Sequence, residues 1–219
     1  MAEVSTSILN VDEEKAMQTF YDLEVAKTDY YHIDVMDGEF VENNTSNKMY
    51  EYASSIKQIS NIPLDVHLMV KDVNKYIEQY IPLEPHFITI HYEACENKEE
   101  LKKALKHIKE NNIQCGISVK PKTNIEEIYE LLPQIGLCLI MTVEPGKGGQ
   151  KLIPETIEKI SKLKEYIYQN NLDTYIEADG GINLENADIL KEAGVDIIVA
   201  GSAIIKSEDF KKTISKLKQ

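Results

Sequence analysis

Short runs of apolar residues alternate along this chain with longer charged segments in which apolar residues recur every three to four positions. The short runs predict eight strands, at 4–9, 31–36, 64–69, 86–91, 114–119, 137–143, 174–179 and 196–200. The longer segments predict helices, among them 12–27, 97–111, 154–169, 184–192 and 207–218. Alternation of strand and helix predicts parallel pairing, because parallel neighbours need a crossover connection.

Eight such repeats in 219 residues predict a closed (β/α)8 barrel that takes up residues 1–219 as one domain. An open doubly wound sheet would give similar local signals. The first strand-to-helix turn, however, lacks the glycine fingerprint of dinucleotide binding, which favours the barrel. In barrels of this kind the active site forms at the carboxyl ends of the strands.

Histidines and carboxylates stand at the ends of three predicted strands. His32 and Asp34 share one face of the second strand, His67 shares a face with Asp65 on the third, and Asp179 ends the seventh. A lone strand histidine is more often a hydrogen-bonded core residue than a ligand. Two imidazoles and two carboxylates at one end of a barrel favour a site for Zn²⁺ or another first-row divalent ion.

Glycine-rich loops follow the last three predicted strands. They contain Gly146, Gly148 and Gly149 after the sixth strand, Gly180 and Gly181 after the seventh, and Gly201 with Ser202 after the eighth. Glycine lets backbone N–H groups approach an anion closely, and a helix N-terminus adds a favourable potential. One such loop would be an ordinary tight turn, whereas three adjacent loops favour a phosphate site.

Net charge, apolar stretches and cysteine spacing limit the kinds of partner that the sequence predicts. The chain has 24 Lys and Arg against 37 Asp and Glu, a net charge of -13, which argues against a nucleic-acid partner. We expect no membrane association and a cytoplasmic location, since neither a secretory leader nor a bilayer-spanning apolar stretch is evident. The three cysteines, Cys95, Cys115 and Cys138, are expected to be reduced thiols without metal-ligand spacing.

Motifs at successive predicted strand ends carry a family resemblance. They are Ser7-Ile8-Leu9, residues 32–38, residues 65–70, Lys120-Pro121 with Thr123, residues 141–146, Gly148-Gly149-Gln150, Asp179-Gly180-Gly181 and Ala200-Gly201-Ser202. In this order they resemble the ribulose-phosphate 3-epimerases over essentially the whole chain. The resemblance implies a barrel of the ribulose-phosphate-binding type, a sugar-phosphate substrate and a homo-oligomer. It also implies epimerisation of D-ribulose 5-phosphate to D-xylulose 5-phosphate, a step of the pentose phosphate pathway.

The resemblance also implies roles for individual residues. His32, Asp34, His67 and Asp179 are expected to bind one divalent metal ion, with Zn, Fe(II), Mn and Co all left open. Asp34 and Asp179 are expected to act as the acid/base pair, one on each side of the substrate, around an enediolate that the metal would stabilise. Substrate contacts are expected from Ser7, Met36, His67, Met69, Met141, Gly146, Gly148, Gly149, Gly180, Gly181, Gly201 and Ser202.

Two alternatives remain open on the sequence. A related 3-epimerase would act on a hexulose phosphate such as D-allulose 6-phosphate, and the loop residues Glu42, Lys122 and Lys147, which depart from the family pattern, bear on that choice. A non-catalytic sugar-phosphate-binding barrel would be expected to lose one of the two aspartates, and both are present. His91 and Glu93 share a face at the end of the fourth strand; we interpret them as support for the metal ligands or as structural residues.

Overall fold

The computed structural model describes residues 1–219 and contains a closed barrel of eight parallel strands. The strands pair in chain order, and the last pairs with the first. They are β1 (Glu3–Ser7), β2 (Tyr30–Met36), β3 (Leu64–Met69), β4 (Phe87–His91), β5 (Gln114–Val119), β6 (Leu137–Met141), β7 (Tyr175–Asp179) and β8 (Ile197–Ala200). The predicted (β/α)8 barrel is therefore confirmed.

Helices connect the strands on the outside of the barrel. They are α1 (Ala16–Ala26), α2 (Ser46–Ile59), α3 (Val73–Tyr80), α4 (Lys98–Glu110), α5 (Glu155–Gln169), α6 (Ala187–Ala193), α7 (Ser202–Ile205) and α8 (Phe210–Lys218). Between β5 and β6 a 3-10 segment (Ile125–Gln134) replaces an α-helix, and it contains Pro133, which has no N–H to donate.

The predicted bounds differ from the observed ones mainly at strand ends. The predicted strands 4–9 and 137–143 each run two residues beyond β1 and β6. Beyond β6 the Thr142 hydroxyl donates to the carbonyl of Gly180, at 2.6 Å, so the chain there is already part of the loop layer above the barrel. Helix α2 lies outside the predicted segments, although Met49, Tyr52 and Ile56 form its buried face at helical spacing.

Apolar side chains pack in three separate clusters, one of which is formed by Leu139, Met141 and Val143 along β6 and the start of the loop after it. The largest core lies between strands and helices and takes the outward-facing strand residues, such as Ile33, Val35 and Leu68. A small cluster of Phe87, Leu137 and Ile197, with Tyr30 packed against it, is separate from that core, and each member lies at the amino end of its strand. The barrel interior is therefore apolar at this end, which leaves polar chemistry to the opposite end. No helix is both long enough and apolar enough to cross a membrane.

Candidate active site

Strands β2, β3 and β7 bring four polar side chains together at the carboxyl end of the barrel. In the β2–β3 register Asp34 lies opposite His67. His32 Nε2 lies 3.4 Å from Asp34 Oδ1 and 3.9 Å from Asp179 Oδ2. His67 Nδ1 lies 3.6 Å and 3.7 Å from the same two oxygens. The four residues predicted as metal ligands thus place one donor atom each within 4.8 Å of the others.

These donor atoms fit a divalent cation. His32 Nε2 and His67 Nδ1 are fully buried and have no hydrogen-bond partner in the structure. A buried polar atom without a partner costs about 1–3 kcal/mol, so the arrangement favours a bound group that accepts these lone pairs. Two imidazole nitrogens and two carboxylate oxygens are a ligand set that first-row divalent ions accept, and without a thiolate it does not select one of them.

A carboxylate behind His32 fixes the orientation of that ring. Asp65 Oδ2 lies 2.6 Å from His32 Nδ1 and also accepts a hydrogen bond from the Ser5 hydroxyl at 2.6 Å. With the Nδ1 proton directed at Asp65, the Nε2 lone pair points to the cluster. Burial lowers the pKa of His32, but the charges of Asp65 and Asp34 outweigh burial and raise it well above its usual value. A proton and a metal ion therefore compete for Nε2.

Three buried polar residues beneath the cluster were not among the predicted ligands, acid/base residues or substrate contacts, although Asp65 was placed on the same strand face as His67. They are Ser5, Asp65 and Glu177, and all three are almost without exposed surface. A signal for them exists in the sequence, because each lies two residues before a predicted site residue on the same strand and so shares its face.

The two aspartates differ in their surroundings. Asp34 Oδ2 accepts a hydrogen bond from the Ser7 hydroxyl at 2.7 Å. Burial favours the neutral form of Asp34, but His32 and His67 hold its pKa well below the usual range. Burial and the negative charge of Asp34 raise the pKa of Asp179 to about 6. The pair therefore combines a carboxylate that stays ionised with a carboxyl group that holds a proton more readily, the pattern expected of a base and an acid.

His91 and Glu93 stand behind His67. His91 Nε2 lies 2.9 Å from His67 Nε2, and His91 Nδ1 lies 3.1 Å from Glu93 Oε2. Burial lowers the pKa of His91 to about 4, so its imidazole is neutral at pH 7. Burial alone would raise the pKa of Glu93, but hydrogen bonds from His91, Thr123 and the Lys120 amide lower it to about 2. His91 thus contacts a predicted ligand, Glu93 contacts His91, and neither belongs to the group of donor atoms around the cation position.

A cleft opens above the cluster. Of the residues predicted to contact substrate, all but one line it: Ser7, Met36, Met69, Met141, Gly146, Gly148, Gly149, Gly180, Gly181, Gly201 and Ser202. His67 has no exposed surface, so a contact between substrate and His67 stays a prediction. The lining also includes residues that were not predicted as substrate contacts: Leu9, Asn10, Val143, Glu144, Pro145, Gln150, Ile182 and Val199, together with the unusual Lys147.

The glycines of the cleft serve two different needs. Gly180 has φ +123, and a Cβ there would lie 2.3 Å from Val143 Cγ2, so packing alone requires glycine. Gly149 has φ +77, but a Cβ there would meet nothing within 4 Å. Its backbone therefore borders open space in the cleft. Phosphate binding by these loops remains a prediction.

The loop between β2 and α2 reaches across the cleft to the loop after β6. The Asn43 side-chain amide donates to the carbonyl of Gly146 at 2.6 Å. A Cβ on Gly146 would lie 3.0 Å from Val41 Cβ, so the two loops are in close contact. These contacts join the two loops next to Gly146, which lines the cleft.

Comparison with known proteins gives consistent matches. Residues 3–205 match the model of the ribulose-phosphate 3 epimerase family. The ribulose-phosphate 3-epimerase of Helicobacter pylori is 40% identical over 216 residues, 98% of this chain and 96% of its own length. The enzyme of the same name from Bacillus subtilis is 36% identical over 219 residues, 100% of this chain and 99% of its own.

Solved structures match at lower identity. A 3-hexulose-6-phosphate synthase superposes with a TM-score of 0.73 at 12% identity, covering 99% of this chain and 98% of its own. The structure of KGPDC from Streptococcus mutans gives a TM-score of 0.72 at 11% identity, over 100% of this chain and 96% of its own. At these identities the likeness shows the barrel fold alone.

Proposed function

The chain belongs to the ribulose-phosphate 3-epimerase family, and from this premise we propose that it interconverts D-ribulose 5-phosphate and D-xylulose 5-phosphate by inverting C3. One observation carries the proposal. Asp34 and Asp179 line the same cleft from strands on separate parts of the barrel, and their pKa values shift in opposite directions.

Inversion beside a ketone needs a base on one face of the carbon and an acid on the other. With Asp34 ionised and Asp179 protonated, Asp34 removes the proton from C3 and Asp179 delivers one to the opposite face. The reverse reaction exchanges the two roles. The Ser7 hydroxyl donates to Asp34 Oδ2 at 2.7 Å and so fixes the orientation of this carboxylate in the cleft.

We propose that His32, Asp34, His67 and Asp179 hold one divalent ion, with Zn²⁺, Fe²⁺, Mn²⁺ and Co²⁺ as the candidates. When bound, such an ion supplies Lewis-acid stabilisation of the negative charge that develops on the substrate oxygens. The chain's own contribution is orientation, since Asp65 fixes the ring of His32 through the 2.6 Å contact at Nδ1. Both histidines are fully buried, which keeps water from their donor nitrogens.

The rest of the cleft suits a phosphorylated sugar. We propose that Met36, Met69 and Met141 form its apolar wall, and that backbone N–H groups of the glycine loops after β6, β7 and β8 bind the phosphate. The whole chain, residues 1–219, would act as one catalytic domain. A cytoplasmic location and a homo-oligomer are proposed on the family resemblance.

Steady-state kinetics on two substrates tests the proposal. Purified protein with its metal content measured by elemental analysis is assayed on D-ribulose 5-phosphate and on D-allulose 6-phosphate. We expect a higher kcat/KM for the pentulose phosphate, loss of turnover after verified removal of metal, and recovery when a divalent ion is restored. Faster turnover of the hexulose phosphate would support the alternative substrate, and no turnover of either by the metal-loaded protein would contradict an epimerase.

A further inference from the structure

Two buried histidines meet at the carboxyl end of the barrel interior. The Nε2 atoms of His67 and His91 lie 2.9 Å apart, and neither residue has exposed surface. A hydrogen bond between two imidazole nitrogens needs a proton on one and a lone pair on the other. Either ring is able to donate, and the choice decides which nitrogen of His67 carries its proton.

Glu93 settles the direction of this bond. Its Oε2 lies 3.1 Å from His91 Nδ1, while its Oε1 accepts from the Lys120 amide at 2.8 Å and from the Thr123 hydroxyl. An ionised carboxylate only accepts hydrogen bonds, so His91 Nδ1 must carry a proton. A neutral imidazole has one N–H, and the Nε2 of His91 is therefore the acceptor.

The direction of this hydrogen bond determines whether His67 Nδ1 has a lone pair for a cation. His67 donates from Nε2 to His91, so its Nδ1 keeps a lone pair, and this is the unpaired nitrogen 3.6 Å from Asp34 and 3.7 Å from Asp179. The opposite direction would set a bare nitrogen of His91 against the Glu93 carboxylate. It would also put a proton on His67 Nδ1, at the place where a cation binds.

We propose that Glu93 is a positioning residue that acts through His91 to select the tautomer of His67, and thereby keeps the Nδ1 lone pair of His67 available to the metal ion. This inference rests on the metal site proposed above and assigns a role to two residues that the sequence left open. Asp65 selects the tautomer of His32 by direct contact with its Nδ1, whereas Glu93 selects the tautomer of His67 through His91. The centre therefore takes Nε2 from one histidine and Nδ1 from the other.

Glu93, His91 and His67 form a hydrogen-bonded relay, and the loop after β5 holds the Glu93 carboxylate of this relay in place. Glu93 is bound there by Lys120 and Thr123, and the side-chain amine of Lys120 lies 4.1 Å from the centroid of the Phe40 ring. That ring lies 4.9 Å from the ring of His91. Phe40 and Lys120 thus limit the movement of Glu93 and His91, which favours a single tautomer of His67.

The test replaces the acceptor by an amide. In Glu93→Gln the side-chain NH₂ group has two possible positions. If it faces His91 Nδ1, it donates to that nitrogen and reverses the direction of the His91–His67 hydrogen bond. If it faces the Lys120 N–H, two hydrogen-bond donors oppose each other. We expect metal affinity to fall about 10- to 100-fold, measured for Zn²⁺ or Mn²⁺ by competition with a chromophoric chelator. In metal-free Glu93→Gln, two-bond ¹⁵N–¹H NMR correlations should show a proton on His67 Nδ1 in part of the population.

Two further variants separate positioning from loss of charge. Glu93→Asp keeps an acceptor with shorter reach and should restore part of the metal affinity. Glu96→Gln makes the same change of charge at an exposed position of the same loop and should bind metal as the wild-type protein does. Thermal unfolding of each metal-free variant reports whether the fold is intact.

Measurements on the wild-type protein keep the inference open to contradiction even if Glu93→Gln does not fold. A proton on His67 Nδ1 in metal-free wild-type protein would overturn it. So would a folded Glu93→Gln variant with metal affinity within about twofold of wild type and an unchanged His67 tautomer. Full turnover by verified metal-free wild-type protein would instead contradict the proposed metal site. The NMR measurement would still show independently which tautomer His67 adopts.

Discussion

The two ends of the barrel interior are built from the same strands but differ in character. Strand β4 begins with Phe87, in a closed apolar cluster with Leu137 and Ile197, and ends with His91, in the polar network around the candidate site. At the apolar end Phe87, Leu137 and Ile197 are buried against one another, whereas at the other end buried nitrogens such as His67 Nδ1 lack a partner. Stability and function are therefore separated along the barrel axis, and substitutions at the two ends should have different costs.

Asp179→Asn should give the largest effect, and it acts on the polar end alone. Asparagine keeps the shape of the side chain but carries no exchangeable acid proton. We expect kcat of the metal-loaded enzyme to fall by a factor of about 10² to 10⁴, with no loss of folding free energy. Stopped-assay kinetics and chemical denaturation measure the two quantities. Wild-type turnover in this variant would contradict the acid/base assignment.

Leu137→Ala should do the reverse at the apolar end. Leu137 is fully buried among Phe87 and Ile197, and truncation leaves a cavity that the rigid barrel fills poorly. We expect a loss of about 2–5 kcal/mol in the free energy of unfolding, from urea titration, with kcat per folded molecule unchanged. A fall in kcat of the folded variant would show that the two ends are coupled.

The pH dependence of unfolding sharpens the comparison further. The pKa of Asp179 rises from 3.8 to about 6 in the folded protein, so ionising it costs free energy in the native state. The cost is absent below pH 4, where the group is protonated in both states, and complete above pH 6. Metal-free Asp179→Asn should then be more stable than metal-free wild type by about 2–3 kcal/mol above pH 6 and equal to it below pH 4.

Denaturant midpoints of both proteins, measured across pH 3 to 8 with a chelator present, supply this comparison. An equal difference at every pH would mean that the side chain itself, rather than its ionisation, sets the cost. A difference that grows toward low pH would contradict the raised pKa of Asp179, since the sign of the linkage would be reversed.

The sequence predicts the fold and the strand-end placement of the site residues better than it predicts the contacts between their side chains. Period-two and helical patterns, with end-of-strand polar residues, predict the barrel and bring Asp34 and Asp179 to one end, because the topology itself forces that convergence. The pattern overextends β6, since Thr142 and Val143 have strand character but lie in the loop layer. Which nitrogen each histidine offers depends on contacts with Asp65 and His91, and side-chain geometry of this kind leaves no trace in periodicity.

The smallest expected effect concerns the middle of the barrel, between the two ends. On β4, Thr89 lies between Phe87 and His91, and its buried hydroxyl has no partner. Valine has nearly the same shape, so Thr89→Val should remove an uncompensated polar group and raise the free energy of unfolding by about 1 kcal/mol. Thermal denaturation with a matched control measures the change.

The matched control is Thr6→Val. The Thr6 hydroxyl is as deeply buried as that of Thr89 but bonds to the Thr28 hydroxyl at 2.7 Å, so the same substitution should lower stability by about 1 kcal/mol. Opposite signs from one substitution would show that hydrogen-bond satisfaction, and not burial of a hydroxyl as such, sets the cost of a buried hydroxyl in this protein. Equal destabilisation by both substitutions would mean that the Thr89 hydroxyl does have a hydrogen-bond partner. The change along β4 from apolar packing to the polar network of the site would then begin only at His91.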